Sequence, residues 1–132
     1  MNRTILFRGK RLDNGEWVEG YYMTDPLGVV IRTHEIIKNK RGGDTHIEQS
    51  HRVDPDSIGQ FTGLLDKNGK RIWEGDIIDI RNGYHGIVIW DGFAWGLQIQ
   101  EVNHTLYSWS AAVRLIEAIG NIHEPRGEND GE

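Results

Sequence analysis

Asp54, Asp56, Asp66, Asp76, Asp79 and Asp91 are the residues whose type first suggests chemistry, because paired carboxylates can divide acid and base roles between them. Their neighbours point elsewhere. Asp54 precedes a proline, Asp66 opens Asp-Lys-Asn-Gly, Asp76 follows Gly75, and Asp91 precedes Gly92. At such places the Asp side chain bonds its own backbone and sets a turn. Asp66-Lys67-Asn68-Gly69 resembles the start of a calcium loop, yet the further ligands and the terminal Glu are missing at the needed spacing. Ser57, Ser108 and Ser110 lack the context of an activated nucleophile. Gly59, Gly63 and Gly69 do not build a phosphate-cradling loop. No catalytic and no cofactor-binding residue is assigned.

The six histidines are His34, His46, His51, His85, His104 and His123. None stands in a metal-type spacing. His46 and His51 are separated by an odd interval, so on a strand they face opposite ways. A metal site therefore requires distant residues to converge, and none is assigned. The chain has no cysteine, which removes disulfides, thiolate nucleophiles and cysteine-based metal sites.

Basic residues gather in three groups: Arg3, Arg8, Lys10 and Arg11; Lys38, Lys40 and Arg41; Lys67, Lys70 and Arg71. A cluster of Lys67, Lys70 and Arg71 with Tyr84 is the candidate binding group, able to touch phosphate and stack on a base. The net charge of -5 counts against sequence-independent nucleic-acid binding, whose affinity comes from Lys and Arg neutralising phosphates. Exposed aromatics forming a protein-binding patch are the other reading. The leading expectation is a non-enzymatic module that pairs with another protein or with itself; the alternative is a nucleic-acid-binding protein.

The elements that must position these groups are short strands. Glycine is abundant, 17 of 132 residues, against 3 prolines, so tight turns are frequent. Five tryptophans and four tyrosines supply area for a core that a hydrophobic fraction of 37% leaves modest. Thr4 to Arg8 and Trp17 to Met23 read as partner strands about an Asp13-Asn14-Gly15 turn. Val29 to Ile31 reads as a third strand, with His34 to Lys38 extending the sheet or forming another. Residues 38–45 read as a mobile, glycine-rich loop, and His46 to Val53 as an edge strand.

Ile72-Trp73 returns from the Asn68-Gly69 hairpin, and Ile77 to Ile80 is a buried strand. Residues 81–86 read as a loop, Gly86 to Trp90 as a strand, and Phe93 to Glu101 as its partner, with Phe93, Trp95, Leu97 and Ile99 on one face. Asn103-His104 reads as a polar bend. Ser108 to Ile119 is compatible with a short helix or with a strand over its last residues. Residues 125–132 form a charged tail without an apolar anchor, expected to be flexible.

IGQFTGLLDKNGKRIWEGDIIDI, followed later by IEAIGNIHE, resembles the motifs of the YopX family, small phage and prophage proteins of Gram-positive and other bacteria. The opening FRGKRLDNGEWVEGYY is similar to the family's first segment, so the resemblance spans roughly Ile5 to Glu124. Phe61 and Trp73 stand where the family has tyrosine. The resemblance implies an SH3-like small β-barrel in the second half and a phage or prophage origin, which makes the expected partner a host or phage protein and the alternative a nucleic-acid-binding protein of phage DNA metabolism; it carries over no catalytic motif. It also favours the strand over Ile116 to Ile119. The expected architecture is mainly β: an amino-terminal antiparallel β subdomain over 1–55, then the barrel over 56–124. No apolar run approaches the ~20 residues of a membrane span, and the amino terminus lacks the features of a signal peptide. The expected location is the cytoplasm of a bacterial host.

Overall fold

The computed structural model describes residues 5–81, 84–99, 102–105 and 116–124. It is mainly β, with its strands in two antiparallel sheets. The chain divides into an amino-terminal unit, Ile5–Gln60, and a carboxy-terminal unit that begins at Phe61.

In the amino-terminal unit, β1 (Phe7–Lys10), β2 (Trp17–Asp25), β3 (Gly28–Lys38) and β4 (Asp44–Arg52) form a meander in the order β4-β3-β2-β1. The first strand thus starts later than the Thr4 to Arg8 expectation. Its end is fixed by residues distant in sequence. Lys10 N–H donates to the Ser57 hydroxyl at 2.8 Å, and Asp54 N–H donates to the Lys10 carbonyl at 2.8 Å. Asp54 caps the 3-10 turn Pro55–Ser57 and accepts from Asp56 N–H at 3.0 Å.

The stretch from Val29 to Lys38 is one strand rather than two. β3 pairs with β4 from Val30–Arg52 through to Lys38–Asp44. The loop expected over 38–45 is narrower, a hydrogen-bonded hairpin turn over 39–43. Asn39 N–H donates to the Gly43 carbonyl, and Gly42 N–H to the Asn39 carbonyl, both at 3.1 Å. Gly42 and Gly43 take the positive φ this reversal needs. Lys38, Asp44 and Thr45 are drawn into the strands.

The core of this unit is small, with Ile31 and Val53 fully buried and Val30 beside them. Phe7 stacks on Tyr22 with ring centroids 5.5 Å apart. Gly9 and Gly20 are buried where backbones approach closely.

In the carboxy-terminal unit, β5 (Gly59–Leu65, whose first two residues pair with β1) continues from Phe61 to pair with β6 (Arg71–Trp73). Here β7 (Asp76–Arg81), β8 (Tyr84–Trp90), β9 (Trp95–Ile99), β10 (Val102–Thr105) and β11 (Glu117–Asn121) form a sheet in the order β10-β9-β8-β7-β11. The meander runs outward from β7, and the last strand returns to its other side. Among the described residues this ladder does not close on itself. Ile72, Ile78, Val88, Leu97, Ile116 and Ala118 form the core, with Leu64, Trp95 and Ile99 packed against it.

Three expectations change here. Tyr84 opens β8 instead of lying in a loop, because it pairs with Arg81. Asn103-His104 is strand, paired with Gln98 and Leu97. Phe93 leaves the apolar face of β9. Asp91 accepts from both Phe93 and Ala94 N–H at 2.8 Å, which stretches the turn to Ala94. The ambiguous segment 108–115, the loop residues 82–83 and the tail 125–132 lie outside the described residues.

Gly20 gives a direct check of this packing. A Cβ added there would overlap the Arg32 carbonyl oxygen, a backbone atom with no room to yield. Gly20→Ala should therefore destabilise the chain by about 1–3 kcal/mol, read as a lower urea midpoint.

Candidate interaction surface and the fate of the chemical residues

Four of the six aspartates, Asp54, Asp66, Asp76 and Asp91, accept from backbone N–H groups. Asp66, 5% exposed, accepts from Asn68 N–H at 2.8 Å and Lys70 N–H at 2.9 Å through one oxygen. Its other oxygen accepts from Ala118 N–H at 3.0 Å, fifty-two positions along the chain. Burial pushes this carboxyl up. The N–H groups of Ala118, Lys70 and Asn68, with the Lys70 charge, outweigh burial and hold it below the usual value.

Asp76, 4% exposed, accepts from Trp73 N–H at 2.8 Å and from the Asn121 amide at 3.0 Å. Asn121 in turn accepts from His123 N–H at 2.9 Å. Asp91 serves its own turn, and the N–H groups of Phe93 and Ala94 keep it low. The turn reading of Asp54, Asp66 and Asp91 thus stands, and Asp66 and Asp76 go further: they fasten the last strand.

The basic candidates take structural positions as well. Lys70 Nζ donates to the Ala118 carbonyl at 3.2 Å, and Lys67 Nζ lies 3.7 Å from Glu117 Oε1. The Arg71 guanidinium sits over the Phe61 ring at 5.5 Å, and Phe61 stacks on Trp73. The structure thus brings Lys67 and Lys70 onto β11 and Arg71 onto an aromatic pair. Of Tyr84 it gives only the backbone place at the start of β8.

Most residues of the β3–β4 hairpin beyond Val30 and Ile31 are exposed. β4 is an edge strand paired to β3, and its outer side is met at one end, where the Arg52 carbonyl accepts from Leu12 N–H at 3.0 Å. Ile36 and Ile37 project from opposite faces of β3, 52% and 44% exposed. Tyr21 and Met23 on β2 share the face of Arg32, His34 and Ile36, as the register pairs show. On the same face His34 Nε2 lies 3.0 Å from His46 Nδ1. The hydrophobic pattern of β3 showed a strand, but nothing in the sequence marked the His34–His46 approach, which depends on register.

At the base of the hairpin, Arg11, Leu12, Asp13, Ser50, His51 and Arg52 line an open cleft of about 360 Å³. Its cations are neutralised: Arg11 pairs with Asp13 at 2.6 Å and Arg52 with Asp25 at 2.7 Å. The Arg52 guanidinium and the Leu27 N–H pull the Asp25 carboxyl down to about 2.

The carboxy-terminal unit has a second apolar point at the β8–β9 tip. Phe93 is 94% exposed, beside Trp90, which meets Trp95 edge-on at 5.1 Å. Among the described residues no helix is long and apolar enough to cross a membrane.

The geometry defines a small mainly-β protein whose chemically capable residues hold strands together and whose free surface is a hairpin. The family model described as "YopX protein" matches residues 6–126, and the chain belongs to the YopX family. The crystal structure of protein EF1440 from Enterococcus faecalis is similar in fold, with a TM-score of 0.61 over 93% of this chain and 96% of that one at 20% identity. No curated protein matches.

Asp66 makes a measurable claim about pH. Its carboxyl is lower in the folded chain than the ordinary 3.8, so the folded state binds fewer protons there. The stabilisation is complete above that value and fades as pH falls through the folded one. Urea unfolding of the wild type should weaken below about pH 4. Asp66→Asn should start about 2–3 kcal/mol less stable at neutral pH and lose less on acidification.

Proposed function

We propose that this is a non-enzymatic phage- or prophage-borne protein that works by strand pairing, first with a second copy of itself, through the β3–β4 hairpin. The observation that carries the reading is the edge position of β4. It is nine residues long, its outer edge is met only at its end, where the Arg52 carbonyl accepts from Leu12 N–H at 3.0 Å, and β3 beside it carries exposed Ile36 and Ile37. An open edge of this length presents unsatisfied backbone donors and acceptors that a further strand can meet. The non-enzymatic reading is supported by the duties of Asp54, Asp66, Asp76 and Asp91, all of which hold backbone N–H groups.

In this reading the carboxy-terminal unit is an SH3-like barrel scaffold, supported by the meander β7 to β10 with β11 returned beside β7. The location that accompanies it is the bacterial cytoplasm.

The competing reading, a nucleic-acid-binding protein, requires a basic groove. Lys67, Lys70 and Arg71 have partners on β11 and Phe61, which weakens it. A salt-sensitive mobility shift with single-stranded DNA would favour it over strand pairing.

Sedimentation across concentration tests the proposal. The wild type should exceed the 15.1 kDa of one chain, with the excess mass growing with concentration. Ile36→Glu/Ile37→Glu should return it to the monomer while keeping its β circular dichroism. A wild type that remains at 15.1 kDa throughout would overturn self-pairing.

A further inference from the structure

We propose that His34 and His46 form a two-imidazole site for a divalent transition-metal ion of the copper, nickel and zinc class. The remaining coordination positions are open to water.

The ladder itself builds the site. On β3 and β4, His34 stands opposite Glu48 and His46 opposite Ile36, which makes the two histidines diagonal neighbours on one face. Both are exposed. Their rings lie 5.1 Å apart between centroids and 31° from parallel, with His34 Nε2 and His46 Nδ1 at 3.0 Å.

Two nitrogens bound to one ion at about 2.0–2.1 Å lie about 2.9 Å apart at a right angle and about 3.3 Å apart at the tetrahedral angle. The observed separation falls at the right-angle end, the geometry of tetragonal copper(II) and nickel(II). A contact of this length between two imidazoles holds one proton on the shared axis, with one ring donating and the other accepting. The ion takes the place of that proton, which passes through solvent to the other nitrogen of the same ring, so that both imidazoles stay neutral while ring rotations turn both lone pairs toward the metal. The fixed strands bring the nitrogens together in advance, so little further ordering is required of either side chain.

The surroundings tolerate the charge. Glu48 Oε2 accepts from Arg32 at 2.8 Å, so the nearest cation and anion on this face offset each other. Further along, Lys38 stands opposite Asp44 in register. Among the described residues no group of three or more His, Cys, Asp or Glu side chains gathers to hold a metal. The site is therefore a clip with two protein ligands, and an ion bound there ties β3 to β4 near the outer half of the hairpin.

The test uses the full chain without a tag, stripped of metal and titrated with copper(II) by calorimetry, with electron paramagnetic resonance at one equivalent. The expected result is one site with two imidazole nitrogens in its spectrum. His34→Ala and His46→Ala should each weaken it at least tenfold, and His51→Ala, on the opposite face, should leave it unchanged. Both histidines are exposed, so circular dichroism should show every variant folded. Absence of uptake, or uptake undiminished in the His34→Ala/His46→Ala double variant, would overturn the proposal.

Discussion

The attachment of the last strand is the constraint on which the carboxy-terminal unit depends. β11 reaches its place beside β7 only after a long excursion of chain, and two buried carboxylates receive it. Asp66 takes the Ala118 N–H, and Asp76 takes the Asn121 amide. A buried carboxylate without partners would be costly. Here each carboxylate has at least two donors, and hydrogen bonds to a charged acceptor are stronger than neutral ones. With β11 fixed, Ile116 and Ala118 complete the cluster around Ile72, Ile78, Val88 and Leu97. Removing either latch would expose core and strand edge together.

The most recognisable residues of the chain meet at this joint. Asp66, Asn68 and Gly69 shape the hairpin and present it to β11. Asn68 reaches Glu117 at 3.2 Å, and Lys70 reaches the Ala118 carbonyl. Gly75, at a φ of 87°, lets its carbonyl accept from Ile122 N–H at 3.0 Å. The two halves of the YopX pattern, one central and one near the end, are thus opposite sides of one joint. A pattern of this kind identifies the fold and says little about a partner.

Much of the fold was legible for local reasons. The Asp-Asn-Gly turns, the apolar runs at Ile77 to Ile80 and Ile87 to Ile89, and the mainly-β class follow from turn chemistry and β propensity. What was hidden depended on distant pairing. Asp91 satisfying two N–H groups moved Phe93 out of its strand, although its alternation with Trp95, Leu97 and Ile99 pointed inward. Gly42 and Gly43 suggested slack, yet their positive φ closes a hairpin and lengthens both strands. Lys67 and Lys70 looked available because Glu117 and Ala118 are far away in sequence, and Arg71 because only the β5–β6 pairing brings it over Phe61. His34 and His46 looked unrelated because nothing short of the β3–β4 register joins them.

The amino-terminal hairpin shows the opposite balance of forces. Beyond Val30 and Ile31, most residues of β3 and β4 are exposed, so little buried area offsets the entropy of ordering them. Cross-strand pairs do that work instead: Arg32 with Glu48, Thr33 with His51 at 3.4 Å, and His34 with His46. Polar side chains along β4 also blunt the edge against indiscriminate aggregation. The carboxy-terminal core lies in other strands, so it gains nothing from this extension. A long, wet, register-locked ladder with two outward isoleucines is thus held by side chains paired across its strands, where the carboxy-terminal unit is held by a core and two buried carboxylates.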